Sequence, residues 1–422
     1  MGSSKLPYRL IAFLTIINIL NFFDRYIVQA VEPLLKSEFA LTNQQSGILG
    51  AAFVVGYILF SPLFGFFGDR VDRRVLMAVG LIAWSLFTGL TGLASGFYYF
   101  LVARMLVGVG EASFGAIVPS FLKGRVADMV ALNSALSIFY VAIPVGSALG
   151  YIAGGQLAAS WGWRNLFLLA TLPGLLLSIG FLFIKKEDKS LVAREAKPSF
   201  VQGVGAIMRA PVLRLAILGY IFQTFALNGI AMFVVRHVAA LGMADDVVAR
   251  NFGLNLAITG FVGALGGGQL ASRLVARSSM QVRGLLLFVG LTTLVGVPFL
   301  SGALFLSSPT HFFILCFVAQ IAIFAGTAPL NSVLVTRAPL GLEAFTQGIT
   351  IFAIQLFGGA LAPILIGYVA DLLIAAGGIS SNDALAYALQ LSPLTMLLSA
   401  VVWLMAAQAE RRFASESSHA RE

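Results

Sequence analysis

The chain is short of the residues from which soluble enzymes are built. Of its 422 residues 11% are charged, three are histidine and one is cysteine. A water-facing globular surface carries about 25% charge, so this chain cannot cover one. The lone cysteine, Cys316, excludes an intrachain disulfide and any multi-cysteine metal site. His237, His311 and His419 lie far apart and form no metal-ligand spacing, so no metal and no organic cofactor are expected. There is no P-loop, no paired-histidine zinc motif and no Ser-His-Asp grouping, which leaves no catalytic residues to name and argues against ATP-driven pumping. The chain reads as a non-enzyme. Strict alternation over stretches of about ten residues, the mark of a membrane β-strand, is also missing.

Long apolar runs are what remains. Hydrophobic residues make up 59% of the chain. A bilayer core of about 30 Å needs about 20 apolar residues per helix. The pattern predicts an all-α integral membrane protein with twelve spans, at 8–31, 44–67, 75–94, 97–122, 130–158, 164–184, 212–240, 247–272, 282–303, 311–336, 344–372 and 385–407. The first run is too long for a cleavable leader and carries Asp24 and Arg25 in its second half.

The net charge of +9 is distributed by side rather than gathered into a patch for nucleic acid. With both termini in the cytoplasm, the outside segments hold only Lys36, Arg164, Arg236 and Arg250. Arg25 and Arg104 lie within spans, and every other Lys and Arg falls inside. This is the positive-inside bias of a multi-pass protein, here expected in a plasma membrane such as the bacterial inner membrane.

One long polar interruption divides the chain. Residues 185–211 read as a cytoplasmic linker with a short amphipathic helix near 199–209, between six-helix bundles at 1–184 and 212–422. The halves echo each other: Gly50, Gly65 and Arg70 recur as Gly253, Gly268 and Arg273, each 203 positions on. Internal repeats of this kind mark transporters whose substrate sites lie where the repeats meet.

The run Gly65-Phe66-Phe67-Gly68-Asp69-Arg70-Val71-Asp72-Arg73-Arg74 resembles the loop motif of the major facilitator superfamily, with Asp72 in place of the second glycine. Arg104-Met105-Leu106-Val107-Gly108-Val109-Gly110-Glu111 resembles the helix-four motif of that superfamily. A narrower resemblance is to the spinster family of lipid transporters. It is carried by Asn21-Phe22-Phe23-Asp24-Arg25-Tyr26, Gly108 to Ser113, Phe139-Tyr140, Ile143 to Ser147, Gly150-Tyr151, and Pro363 with Leu365-Ile366-Gly367. Upstream of Pro363 the family tends to have His and Asp, and this chain departs with Gln355 and Gly359. The resemblance implies the superfamily's fold of twelve helices in two pseudo-symmetric six-helix bundles. It further implies alternating access, protons as the coupling ion, and an amphiphilic lipid substrate such as a lysophospholipid or sphingosine-1-phosphate. A monomer among membrane lipids is expected. The alternatives are a small organic-anion carrier, a proton-driven multidrug exporter, or a sensor on a transporter-like fold.

Ionisable groups deep in a membrane are costly and therefore candidates for function. In the first span Asn18, Asn21, Arg25, Gln29 and Glu32 share a face, with Asp24 at its edge. At a rise of about 1.5 Å per residue, Asp24 and Arg104 each lie about 10 Å from the outer end, and Glu111 about 10 Å nearer the cytoplasm. Asp24 and Glu111 are the candidate proton-coupling groups with Arg104 between them, and Arg25 and Arg104 the candidate anion-binding charges. By the resemblance, Gly65, Asp69, Arg70, Arg73 and Arg74 form the cytoplasmic gate, in which charge at the end of the second span can cap a neighbouring helix. Ser272 stands for the acid in the second half, so a one-sided latch is expected. Substrate-cavity candidates are Asn18, Asn21, Gln223, Asn228, Asn331 and Gln355. The small-residue ridge Ala142, Gly146, Gly150 and Gly154 reads as helix packing.

Overall fold

The structure is a computed structural model that describes residues 6–41, 43–186, 198–278, 280–306 and 308–419. The charge-rich middle of the linker, 187–197, lies outside the described residues. The first half contains α1 (Tyr8–Glu38), α2 (Asn43–Gly68), α3 (Arg73–Gly92), α4 (Phe97–Lys123), α5 (Met129–Tyr140), α6 (Ala142–Trp161) and α7 (Trp163–Ile179). The linker helix is α8 (Phe200–Arg209). The second half contains α9 (Pro211–Ala239), α10 (Asp245–Phe261), α11 (Gly268–Val275), α12 (Gln281–Phe305), α13 (Pro309–Ala325) and α14 (Thr327–Arg337), then α15 (Glu343–Ala353), α16 (Leu361–Ala375), α17 (Ser381–Leu389) and α18 (Leu391–His419). Among the described residues there is no strand. Among the described residues eleven helices, several formed by consecutive segments, are long and apolar enough to cross a membrane, and within α2 the apolar stretch Ala52–Gly68 is a shorter one.

Proline sets where the long spans are broken. Pro144 lacks the N–H that would donate to the carbonyl of Tyr140, where α5 ends. Pro329 stands in the same relation to Ala325 at the end of α13, and Pro393 to Leu389 at the end of α17. Pro363 does the same for Gly359, which falls within a π-turn, Ile354–Ala360, between α15 and α16. A second π-turn, Val262–Gly267, joins α10 to α11. Such turns gather at functional sites.

Lipid tails are as apolar as leucine, so helices in a membrane associate mainly through close packing. A Cβ at Gly108 would overlap the Phe53 carbonyl, and one at Gly56 would overlap the Met105 carbonyl, so only glycine lets α2 and α4 approach this closely. The ridge on α6 packs against α1: Gly146 lies on the Ile19 carbonyl and Gly150 on that of Phe23. Further along the same seam Tyr151 of α6 donates to Gln29 of α1.

Two compact units result. One comprises Met1–Ala127, Ile138–Ala206 and Ala338–Phe352, and the other Asp128–Ser137, Ile207–Arg337 and Ala353–Glu422. The division therefore crosses the fifth span between Ser137 and Ile138 and the eleventh at the end of α15. In the first unit Phe100, Trp163 and Phe167 stack edge to face. In the second, one apolar cluster gathers Phe312, Ile323, Ile366 and Leu389, and another gathers Met129, Ala271, Val282 and Val333.

Candidate functional site

Two ion pairs occupy the interior of the first unit. Asp24 on α1 and Arg104 on α4 are 2% and 1% exposed, and Glu111, two turns along α4 from Arg104, is 0% exposed. Arg104 donates to the Asp24 carboxylate at 3.2 Å and to the Asp24 carbonyl at 3.4 Å. Thr88 on α3 donates to the other carboxylate oxygen at 2.5 Å. The side chain of Arg25 turns the other way and its Nε meets Glu111 Oε2 at 2.7 Å. Each acid thus has its own arginine, rather than sharing an Arg104 placed between them.

The two pairs differ in what surrounds them. The Arg25 guanidinium lies 4.7 Å from the centroid of Phe22, 4.6 Å from that of Phe53 and 4.5 Å from that of Tyr57. Phe53 and Tyr57 stand one turn apart on α2 and stack at 5.5 Å. Such faces attract a delocalised cation. The Arg25 side chain keeps 17% of its surface open, whereas that of Arg104 keeps 1%. Buried polar atoms ordinarily find a partner, yet Arg104 Nε and Glu111 Oε1 have none. A carboxylate with one bonded and one bare oxygen has a place for a proton.

The remaining polar candidates are spread over both units. Asn18 donates to the Phe139 carbonyl at 3.3 Å, and Asn21 is buried. In the second unit Gln223 donates to the Ile323 carbonyl at 3.2 Å. Asn228 and Asn331 bond backwards along their own helices, to Thr224 at 3.0 Å and Thr327 at 2.8 Å. These amides spend a donor on backbone, and their carbonyl oxygens are left to accept. Gln355 lies in the π-turn with its Oε1 over Gly359, where an added Cβ would come within 3.1 Å of it and 3.9 Å of Asn228 Nδ2. The two residues that depart from the spinster pattern therefore touch each other.

The loop after α2 is built as a helix cap. Asp69 accepts from the backbone N–H groups of Ala344 at 3.0 Å and Phe345 at 2.8 Å, in the first turn of α15. Leu342, whose carbonyl receives the Thr346 N–H, has no side-chain oxygen to serve as cap, so Asp69 supplies it from another helix. A Cβ at Gly65 would overlap the Ala344 carbonyl, which explains the glycine. Arg73 holds Asp69 at 2.9 Å and donates to the carbonyls of Gly68 at 3.0 Å and Ser120 at 3.3 Å. Arg74 pairs with Asp72 at 2.8 Å, and Asp72 caps α3. That pairing holds the Asp72 carboxyl below its usual range. Burial raises the Asp69 carboxyl above its usual value, against the opposing pull of Arg73 and the two N–H donors. Arg70 turns away from the cap, donating to the Phe66 carbonyl at 2.9 Å and to the Pro198 carbonyl.

At the matching position of the second half a hydroxyl stands where the first half has an acid. Ser272 is buried and accepts from Asn133 at 2.9 Å and Ser134 at 3.0 Å on α5. The sequence signal for the acid fails at this position, but a hydroxyl still makes the contact. Sequence reading also missed Thr88, whose bond to Asp24 leaves no trace in helix periodicity. The pair Phe53 and Tyr57, four apart beside Gly56, was the available signal for the aromatic box around Arg25.

Residues 14–363 match the family model described as Major Facilitator Superfamily. The human protein spinster homolog 1 is 30% identical over 392 residues, covering 86% of this chain and 73% of that protein. The sphingosine-1-phosphate transporter SPNS2 of Mus musculus is 28% identical over 427 residues, covering 94% and 76%. A crystal structure of a bacterial homologue of the human lysosomal transporter spinster, inward-facing and unoccupied, aligns over 97% of this chain and 99% of its own with a TM-score of 0.64 at 20% identity. The chain therefore belongs to the major facilitator superfamily and, within it, to the spinster family of membrane transporters.

Proposed function

We propose that the chain is a proton-coupled carrier that moves an amphiphilic lipid with an anionic headgroup, a lysophospholipid or sphingolipid phosphate, by alternating access. The observation that carries the reading is the unequal pair of acids. Asp24 is bonded at both carboxylate oxygens and locked to Arg104, whereas Glu111 keeps one oxygen bare and pairs with the more open Arg25. A proton arriving on Glu111 weakens its hold on Arg25. The guanidinium, still seated among three aromatic rings, is then free to meet a phosphate or carboxylate headgroup. Release of the headgroup and loss of the proton restore the pair. Asp24 is the second proton-accepting group, and its loss of charge frees Arg104. Asn18, Asn21, Gln223, Asn228, Asn331 and Gln355 supply neutral polar contacts to the substrate. Gly65, Asp69, Arg70, Arg73 and Arg74 form the cytoplasmic gate. The similarity to the mouse sphingosine-1-phosphate transporter supports this substrate class. The carrier works as a monomer in a plasma membrane, with both termini cytoplasmic and protons in place of any cofactor.

The test is uptake into proteoliposomes under an imposed pH gradient, with sphingosine-1-phosphate, lysophosphatidic acid, a short-chain organic acid and a lipophilic cation offered in parallel. The reading expects gradient-dependent movement of the lipids alone. Movement of the organic acid alone favours an anion carrier, and movement of the cation favours a drug exporter.

A further inference from the structure

The constant repeat offset of 203 positions, drawn from Gly65 and Arg70, carries Asp69 onto Ser272. Each position contacts the start of another helix, by different chemistry. Asp69 caps α15 with charge. Around Ser272 the bonding runs through Asn133, which is 0% exposed and uses both its amide donors and its carbonyl oxygen. Its Nδ2 donates to the Gly268 carbonyl at 2.7 Å and to Ser272 Oγ at 2.9 Å, while its Oδ1 accepts from Ser332 at 3.3 Å. One side chain thereby ties the start of the fifth span to the eighth and the tenth. Gly268, the repeat partner of Gly65, lies against Ser137 of α5 so closely that a Cβ would overlap its hydroxyl.

The two helix starts are also capped differently. The first turn of α15 borrows its cap from Asp69 across space. The first turn of α5 carries its own, since Asp128 accepts from the Ala131 N–H at 2.8 Å. Leaving Ser272 therefore does not uncap α5, whereas leaving Asp69 exposes the N–H groups of α15. No ionisable side chain takes part in the hydrogen bonds among Asn133, Ser134, Ser272 and Ser332.

We infer that Asn133 is the positioning residue of a second, uncharged gate contact, which holds the start of α5 against α11 and α14. Its strength does not change with pH, while that of the Asp69 contact does. The inference rests on the alternating-access reading above, in which both contacts must part when the cytoplasmic side opens.

The reporter is Met129→Cys, an α5 residue in the apolar cluster with Ala271 and Val333, in full-length protein with Cys316→Ser, reconstituted in vesicles. A membrane-impermeant maleimide is presented to the cytoplasmic side at pH 6 and pH 8. Asn133→Ala is expected to raise the labelling rate at least about fivefold, by the same factor at both pH values, since it leaves buried donors and acceptors unpaired. Ser272→Ala is expected to raise it less, and the double variant no more than Asn133→Ala alone, because both act on one contact. Labelling at the parent rate in folded Asn133→Ala overturns the inference, as does a factor that changes with pH. If Asn133→Ala does not fold, Ser272→Ala decides by the same criteria, and an unchanged rate overturns the inference. A parent protein that labels only after unfolding overturns instead the alternating-access reading on which it rests.

Discussion

Arg25 Nε lies 2.7 Å from Glu111 Oε2, while the second oxygen of the same carboxylate has no partner. The pair is therefore held on one side and open on the other. Arg25 is fixed as much by three aromatic faces as by the acid. Lysine keeps the charge but not the planar group that stacks on those faces. Arg25→Lys is expected to weaken binding of a sphingolipid phosphate about tenfold, from the loss of desolvated cation–π contacts of about 1–2 kcal/mol. Fluorescence or calorimetric titration of the purified variant checks this.

Arg104 and Asp24 form the closed pair. Removing one member leaves a buried charge without compensation, which costs about 3–5 kcal/mol. Arg104→Ala is expected to lower thermal stability strongly, and adding Asp24→Asn is expected to recover much of the loss. Thermal unfolding of the single and double variants in one detergent checks both expectations.

Thr88 donates to Asp24 from α3 and is itself buried. Thr88→Val keeps the shape and removes the donor, at an expected cost of about 1–2 kcal/mol. The same variant leaves one Asp24 oxygen bare, as Glu111 Oε1 already is. The apparent pH dependence of transport is expected to shift with it, which a pH series of initial rates measures.

Asp69 is protonated at a higher pH than a free aspartate because burial outweighs its favourable partners. The charged cap on α15 is therefore complete at high pH. It weakens as pH falls, and begins to do so above the ordinary aspartate value of 3.8. Accessibility of the α15 start to a cytoplasmic probe is expected to rise on acidification in the parent protein. In Asp69→Asn it is expected to be raised at all pH values and flat, by about 1 kcal/mol of lost capping.

The sequence made the all-helical membrane fold legible because apolar length and charge sidedness are properties of whole segments. It also set Asp24 level with Arg104, since depth follows from counting residues along a helix of fixed rise. It did not show that Arg25 turns to Glu111, because adjacent residues point 100° apart and the rotamer of a long side chain is set by its neighbours. Pro144 signalled a break in the fifth span, and the same relation at Pro329 and Pro393 was equally readable. The transfer of α15 and the start of α5 to the opposite compact units was not readable. That exchange depends on glycine contacts at Gly65 and Gly268 with residues 279 and 131 positions away respectively. The hydroxyl and amide cluster around Ser272 was hidden because serine and asparagine are ordinary residues at any helix end.

The account stands most directly on Glu111 as a proton-coupling acid. Glu111→Gln keeps the shape and the hydrogen-bonding capacity of the side chain but cannot gain or lose a proton. In proteoliposomes loaded with a sphingolipid phosphate, the variant is expected to retain exchange of labelled for unlabelled lipid while losing accumulation driven by a pH gradient. Accumulation in Glu111→Gln at the parent level, with the parent's dependence on the gradient, would contradict the account.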